Sequence, residues 1–190
     1  MTEIFSKIEL RDLAISSAVL AFVLGGIGGF LPALVIVALV FLSHEIIGHK
    51  LVAQHYGCFA EYRMWPAGLL LGLVTSIFGF IFAAPGAVYI SPVTKKKFAF
   101  SIVHLTKKEY GIISIAGPAV NIAMGIALLG INFIWPSGFL TLAAQFSAFL
   151  AIFNLLPIPP LDGQKVMSWS MIAWIIAIAA AACIYIATIL

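Results

Sequence analysis

The 190-residue sequence predicts an all-α membrane protein, a polytopic bundle of about five to six transmembrane helices. A re-entrant, strand-containing segment around residues 59–90 interrupts it. Three observations predict this. The chain is 63% hydrophobic and 9% charged, where a soluble domain carries about 25% charge, and its mean hydropathy is +1.16. Apolar runs recur along nearly its whole length. The basic residues fall in a pattern that only one threading through a bilayer accommodates. The length suits a single transmembrane domain, residues 1–190, with its chemistry in 32–163. The net charge of +3 reports topology, and nothing points to a nucleic-acid partner. Cys58 and Cys183 are the only cysteines and lie far apart, which argues against a disulfide framework or a Cys-type metal site.

The first apolar run is Leu13–Phe30. Met1–Asp12 before it mixes Glu3, Lys7, Glu9, Arg11 and Asp12, without a convincing cleavage site after the run, so the run reads as a retained span. Gly25, Gly26, Gly28 and Gly29 crowd its end, as a turn or as a place of close helix approach. A second helix runs from Pro32 to Tyr56 and stops at Gly57. Phe59–Trp65 is short and mixed, with Glu61 and Arg63 at alternate, outward positions, an edge strand ending at Pro66. Ala67–Ala84 is apolar, Ala84-Pro85-Gly86-Ala87 breaks it, and Val88-Tyr89-Ile90 is strand-like before Ser91-Pro92. Val93–Tyr110 holds Lys95, Lys96, Lys97, Lys107 and Lys108, most simply a surface facing water and anionic lipid. Three further helices follow: Tyr110–Trp135, Phe139–Leu156 and Val166–Leu190.

Lys and Arg in short loops stay in the cytoplasm. If 67–90 enters and returns on one side, Lys7, Arg11, Lys50, Arg63, the five lysines and Lys165 all share that side. The opposite turns, near Phe30 and Ser137, then carry no basic residue. If 67–90 crosses fully, the five lysines move outside and Asp162 lies opposite His49. The first threading is self-consistent: five full spans, a multi-pass protein of the cell membrane with a cytoplasmic N-terminus.

The chemistry concentrates in His44-Glu45-Ile46-Ile47-Gly48-His49. Ionisable groups inside an apolar helix are functional candidates by default. His49 precedes Gly57 by eight residues, roughly 12 Å, so the site lies within the membrane, nearer one face. Zinc takes neutral imidazole nitrogen and carboxylate oxygen, and catalytic sites use three protein ligands. A nearby glutamate can take the proton of water acidified by the metal. His44, His49 and Asp162 supply the ligands and Glu45 the base. Isolated buried histidines also serve as polar contacts between helices, and Asp162 could be a turn aspartate at the interface. The adjacent glutamate and the second histidine within two turns favour a metal. His55 and His104 read as interfacial.

Three elements in this order resemble the site-2 protease family of intramembrane zinc metalloproteases. The first is the histidine stretch, similar to that family's His-Glu-x-x-His helix. The second is Gly117-Pro118-Ala119-Val120-Asn121, similar to its Gly-x-x-x-Asn segment. The third is Asn154-Leu155-Leu156-Pro157-Ile158-Pro159-Pro160-Leu161-Asp162-Gly163, which matches every fixed position of its Asn-x-x-Pro-x-Pro-x-x-Asp-Gly element. The family also places a re-entrant, strand-bearing segment between the first two, where residues 59–90 fit. The resemblance implies one zinc ion held by His44, His49 and Asp162, with Glu45 activating water. It implies that Asn121 lines the active site and steadies the substrate carbonyl or its oxyanion, packing beside Pro118 being its other reading. Asn154 would sit beside the metal loop, where its simpler reading is structural, satisfying carbonyls that the prolines leave free. The implied activity is an endopeptidase cutting a membrane-protein substrate within its transmembrane segment, near the cytoplasmic side of the lipid bilayer. Readings from other classes are an inactive relative that binds or scaffolds membrane proteins, and a metal-ion transporter.

One departure matters. The histidines are five apart, and the position four after His44 is Gly48. Five residues of α-helix turn about 500°, which leaves the second histidine some 140° out of phase. Downstream, Ala53 and Gly57 keep the family's register from His49. The extra residue therefore lies between Glu45 and His49, and a π-bulge near Ile46–Gly48 would absorb it.

Overall fold

The computed structural model describes residues 5–79, 84–91, 93–96, 99–102 and 104–190. Glu3, Pro92, Lys97 and residues 80–83 of the third apolar run lie outside them, as do the side chains of Lys95 and Lys96. The fold is mostly helical, 75% of it.

Helix α1 (Lys7–Gly25) begins six residues before the apolar run. The Ser6 hydroxyl accepts from the Glu9 amide, a side-chain cap that starts the helix within the charged stretch. Glu9 and Asp12 are buried there, because both carboxylates meet backbone amides of the neighbouring strand. The sequence placed these residues in a mixed terminus ahead of the first span. α2 (Phe30–Leu42), a π-helical stretch (Ser43–Lys50) and α3 (Leu51–His55) form one continuous rod. It stops at Gly57, whose φ of 79° admits glycine readily.

Strand β1 (Phe59–Met64), helix α4 (Pro66–Ile77) and strand β2 (Gly86–Ser91) make up the strand-containing segment expected around 59–90. β1 and β2 are antiparallel, from Phe59 opposite Ser91 to Met64 opposite Gly86. The chain therefore returns beside the point from which it left. α4 has 12 residues, about 18 Å of helix, against about 30 Å of bilayer hydrocarbon. One expectation is corrected here. Glu61 does not face outward: it is buried under α1, bonded to the Ser6 hydroxyl and paired with Arg63 at 2.6 Å.

A hairpin of β3 (Val93–Lys96) and β4 (Ala99–Ile102) leads to α5 (Lys107–Ile134), which opens on a Thr106–Glu109 capping box. α6 (Gly138–Asn154), α7 (Asp162–Trp169) and α8 (Met171–Ala187) complete the chain. The last apolar run is thus two helices rather than one from Val166. Ser170 takes an extended conformation (φ −151°, ψ 108°) and its hydroxyl caps α8 at Ala173. The Trp174 indole N–H donates to the Leu155 carbonyl at 2.7 Å, tying α8 to the end of α6.

α5 is central and packs on the π-helical stretch, α6 and α7. Ile36, Val37, Val40 and Phe41 of α2 form the main core with Tyr62 of β1 and Leu150 of α6. Two helical rods, Phe30–His55 and Lys107–Ile134, are long and apolar enough to cross a membrane. Shorter apolar helices accompany them, and large apolar side chains such as Leu31, Phe133 and Ile172 face outward.

Candidate metal centre

The π-helical stretch resolves the phase problem of the histidines. The Leu51 amide donates to the carbonyl of Ile46, five residues back rather than four. At five-residue spacing within this geometry, His44 and His49 point the same way, their Nε2 atoms 3.1 Å apart. The bulge extends over Ser43–Lys50, wider than the Ile46–Gly48 expected. Ile47 is half-exposed on its outer side.

Gly48, where α-helical spacing would put the second histidine, turns toward α5 instead. A Cβ there would lie 2.5 Å from the Gly117 Cα. The helices approach backbone to backbone at this point. A Cβ on Gly117 would run into His49 Nε2 and lie 2.8 Å from His44 Cε1. The two glycines are therefore a steric condition for the paired imidazoles.

Asp162 arrives from the other side, at the start of α7. The prolines of 157–160 prevent α6 from continuing, and Gly163 lets the chain turn against the Leu155 and Leu156 carbonyls, where a Cβ has no room. Asp162 Oδ2 lies 3.1 Å from His49 Nε2, and Oδ1 lies 3.1 Å from Lys165 Nζ. Burial disfavours its ionisation. The charge and hydrogen bond of the His49 ring, with Lys165, nonetheless hold the carboxyl below the usual carboxylate range.

The donor atoms of His44, His49 and Asp162 all lie within 4.8 Å of one another. Ligands about 2.0–2.2 Å from a tetrahedral zinc are about 3.3–3.6 Å apart; the His44–His49 and His49–Asp162 donors, each pair 3.1 Å apart, are slightly closer than that. The His49 Nδ1–H points at the Ile113 carbonyl of α5, 3.0 Å away. That contact fixes the ring and leaves Nε2 as the nitrogen that can turn a lone pair to a metal once the proton it shares with Asp162 is displaced. Glu45 is buried, and its Oε2 has no protein hydrogen-bond partner. Asn121 is fully buried one turn after Gly117 on the same face of α5. Its carbonyl accepts from the Ser147 hydroxyl at 2.9 Å, while neither atom of its side-chain amide has a protein partner. Two nitrogen donors, one carboxylate and orphaned carboxylate and amide groups fit a zinc ion and a peptide carbonyl.

Three sequence-expected residues, His44, His49 and Asp162, thus converge. Asn154 does not join them: its amide caps the Leu150 carbonyl at 2.9 Å, closing the end of α6. His55 lies at the end of α3 against Tyr56, and His104 is exposed. Sequence reasoning missed the Ile113 carbonyl, which carries no residue-type signal. It also missed Lys165, although its spacing of three from Asp162 is the helical signal for a pair.

A curated protein of Methanocaldococcus jannaschii, named "Putative zinc metalloprotease MJ0611", is 37% identical over 182 residues, covering 90% of each chain. The chain belongs to this zinc metalloprotease family. No family model matches the chain, and no solved structure matches it either. Membership in a zinc metalloprotease family agrees with a donor set of two imidazoles and one carboxylate.

Proposed function

We propose that the protein is an intramembrane zinc endopeptidase of the site-2 protease type, active near the cytoplasmic side of the cell membrane. The convergence of His44 and His49 across five-residue spacing, with Asp162 closing the set, carries this reading. The proposed topology is a single domain of five full spans. The rod Phe30–His55 and the helices α1, α5, α6 and α8 cross, and 59–90 is re-entrant. The short α4 and the paired strands β1 and β2 support the last point.

When bound, zinc supplies Lewis acidity toward a carbonyl oxygen and acidifies water. His44, His49 and Asp162 would hold it. Glu45 takes the proton of the attacking water and delivers it to the departing amine. The free Asn121 amide N–H group donates to the oxyanion as charge develops. A transmembrane helix hides its carbonyls, so the substrate segment must unwind and be held extended. β2 suits that role by strand addition. The Trp65 amide donates to the Pro85 carbonyl, so alternate residues of β1, Tyr62 and Met64, aim their amides away from β2. Glu9 and Asp12 take those amides, at 3.0 and 3.3 Å. By the same alternation Val88 and Ile90 aim their backbone groups away from β1. Among the described residues no further strand pairs there.

The test is cleavage of a membrane-protein substrate by purified protein, with zinc counted in parallel. Glu45→Gln keeps zinc and loses cleavage by at least 100-fold, on the order of a general base's contribution. Asp162→Ala loses zinc and cleavage together. Wild-type cleavage by Glu45→Gln would refute the assignment.

A further inference from the structure

The residue that follows His49 is itself unusual. Lys50 is buried in an apolar rod, its side chain 2% exposed, against Glu9, whose side chain is 1% exposed. Nζ lies 2.5 Å from Glu9 Oε2 and 4.1 Å from the centre of the Phe5 ring. Two charges so fully removed from water persist only if paired and otherwise satisfied. Glu9 meets that condition in a particular way. Its other oxygen, Oε1, accepts the amide of Tyr62, 3.0 Å away. Tyr62 stands opposite Val88 across the β1–β2 pair. Val88 is on the outer edge of β2, where an added strand would bind. A single line of contacts therefore runs from His49 through Lys50, Glu9, Tyr62 and Val88 to the edge that meets the substrate. The Tyr62 hydroxyl, bonded to Ser16 of α1 at 2.9 Å, ties the strand to α1 a second time.

Resting on the function proposed above, we propose that Lys50 is a positioning residue that sets which peptide bond reaches the metal centre. An edge strand offers equivalent pairing sites every two residues. β2's edge alone therefore cannot choose between one register of an added strand and the next. The choice needs a fixed distance between that edge and the metal ligands. The Lys50–Glu9 pair, with its bond to the backbone of β1, is the stiff element spanning that gap.

The experiment maps the cleaved bond by mass spectrometry of the products of one defined transmembrane substrate. Wild type is compared with Lys50→Met and with the exchanged pair Glu9→Lys/Lys50→Glu. The exchange keeps a buried ion pair but removes the acceptor of the Tyr62 amide. Wild type is expected to cut one bond. Lys50→Met, still loaded with one zinc, is expected to cut additional bonds two residues away, with KM raised severalfold and kcat changed less. The exchanged pair is expected to keep the fold and the relaxed cleavage pattern. If Lys50→Met fails to fold, the exchanged pair decides. Cleavage at the single wild-type bond with unchanged KM, in either folded and zinc-loaded variant, overturns the proposal and leaves the protease reading intact. Loss of zinc from a folded variant also overturns it, since Lys50 then serves ligand geometry. Absence of zinc and cleavage in wild type overturns the protease reading and this inference together.

Discussion

At the residue scale the site depends as much on missing side chains as on present ones. Gly117 lies where a methyl group would strike the His49 nitrogen and crowd the His44 ring. Gly117→Ala is therefore expected to lose zinc and activity at least tenfold, read by chelator competition, with the helical content kept. Unchanged zinc affinity would mean that the rings have room the structure does not show. Much of this scale was legible in the sequence. Ionisable residues in a greasy rod are conspicuous, and Asp162 announces itself through the prolines and glycine around it. The partners that orient them were not legible. The Ile113 carbonyl belongs to an aliphatic residue, and any backbone carbonyl looks alike until α5 is placed. Glu9 and Asp12 resemble solvated terminal charges until a strand edge is found beside them. Glu61 was misread for the same reason: alternation gives two faces, but not which one α1 covers.

At the level of elements the decisive feature is the π-helical stretch Ser43–Lys50. It places one more residue between two histidines than an α-helix allows, and brings them together all the same. The downstream register revealed the surplus residue in the sequence, because Ala53 and Gly57 keep their spacing from His49 and not from His44. The half-exposed Ile47 is the residue most easily spared. Deleting Ile47 is expected to let the rod close as ordinary α-helix, with histidines four apart, and to keep zinc affinity within about tenfold of wild type. Gly48 must remain, since it faces the α5 backbone. Inserting a second residue beside Ile47 is expected to abolish zinc binding. An insertion variant that binds zinc normally would show that the bulge does not set the phase. The break at Ser170 lay beyond sequence reading, because an apolar run of that length gives no sign of where a serine will turn the chain.

For the whole molecule, the proposed threading places every basic residue on one side. Under it, Ser137, between α5 and α6, lies across the membrane from Lys107 at the start of α5. In a variant with Cys58 and Cys183 replaced by serine, Ser137→Cys is expected to react with an impermeant thiol reagent from outside intact cells. Lys107→Cys is expected to react only after permeabilisation. Labelling of both from one side would contradict a crossing by α5. Composition and charge are what this threading rests on, since length and hydropathy bound the number of helices and lysines bias the loops. They conveyed the excursion 59–90 through the argument that a full crossing would carry five lysines outside and separate Asp162 from His49. The β1–β2 pairing brings the chain back beside the point from which it left, as that excursion requires.

The central claim is that His44, His49 and Asp162 form one zinc site. The most direct measurement is metal analysis of the purified wild-type protein beside His49→Ala. The account predicts one zinc per chain in wild type and almost none in a folded His49→Ala. Wild type without zinc, or His49→Ala retaining a full equivalent, would contradict it.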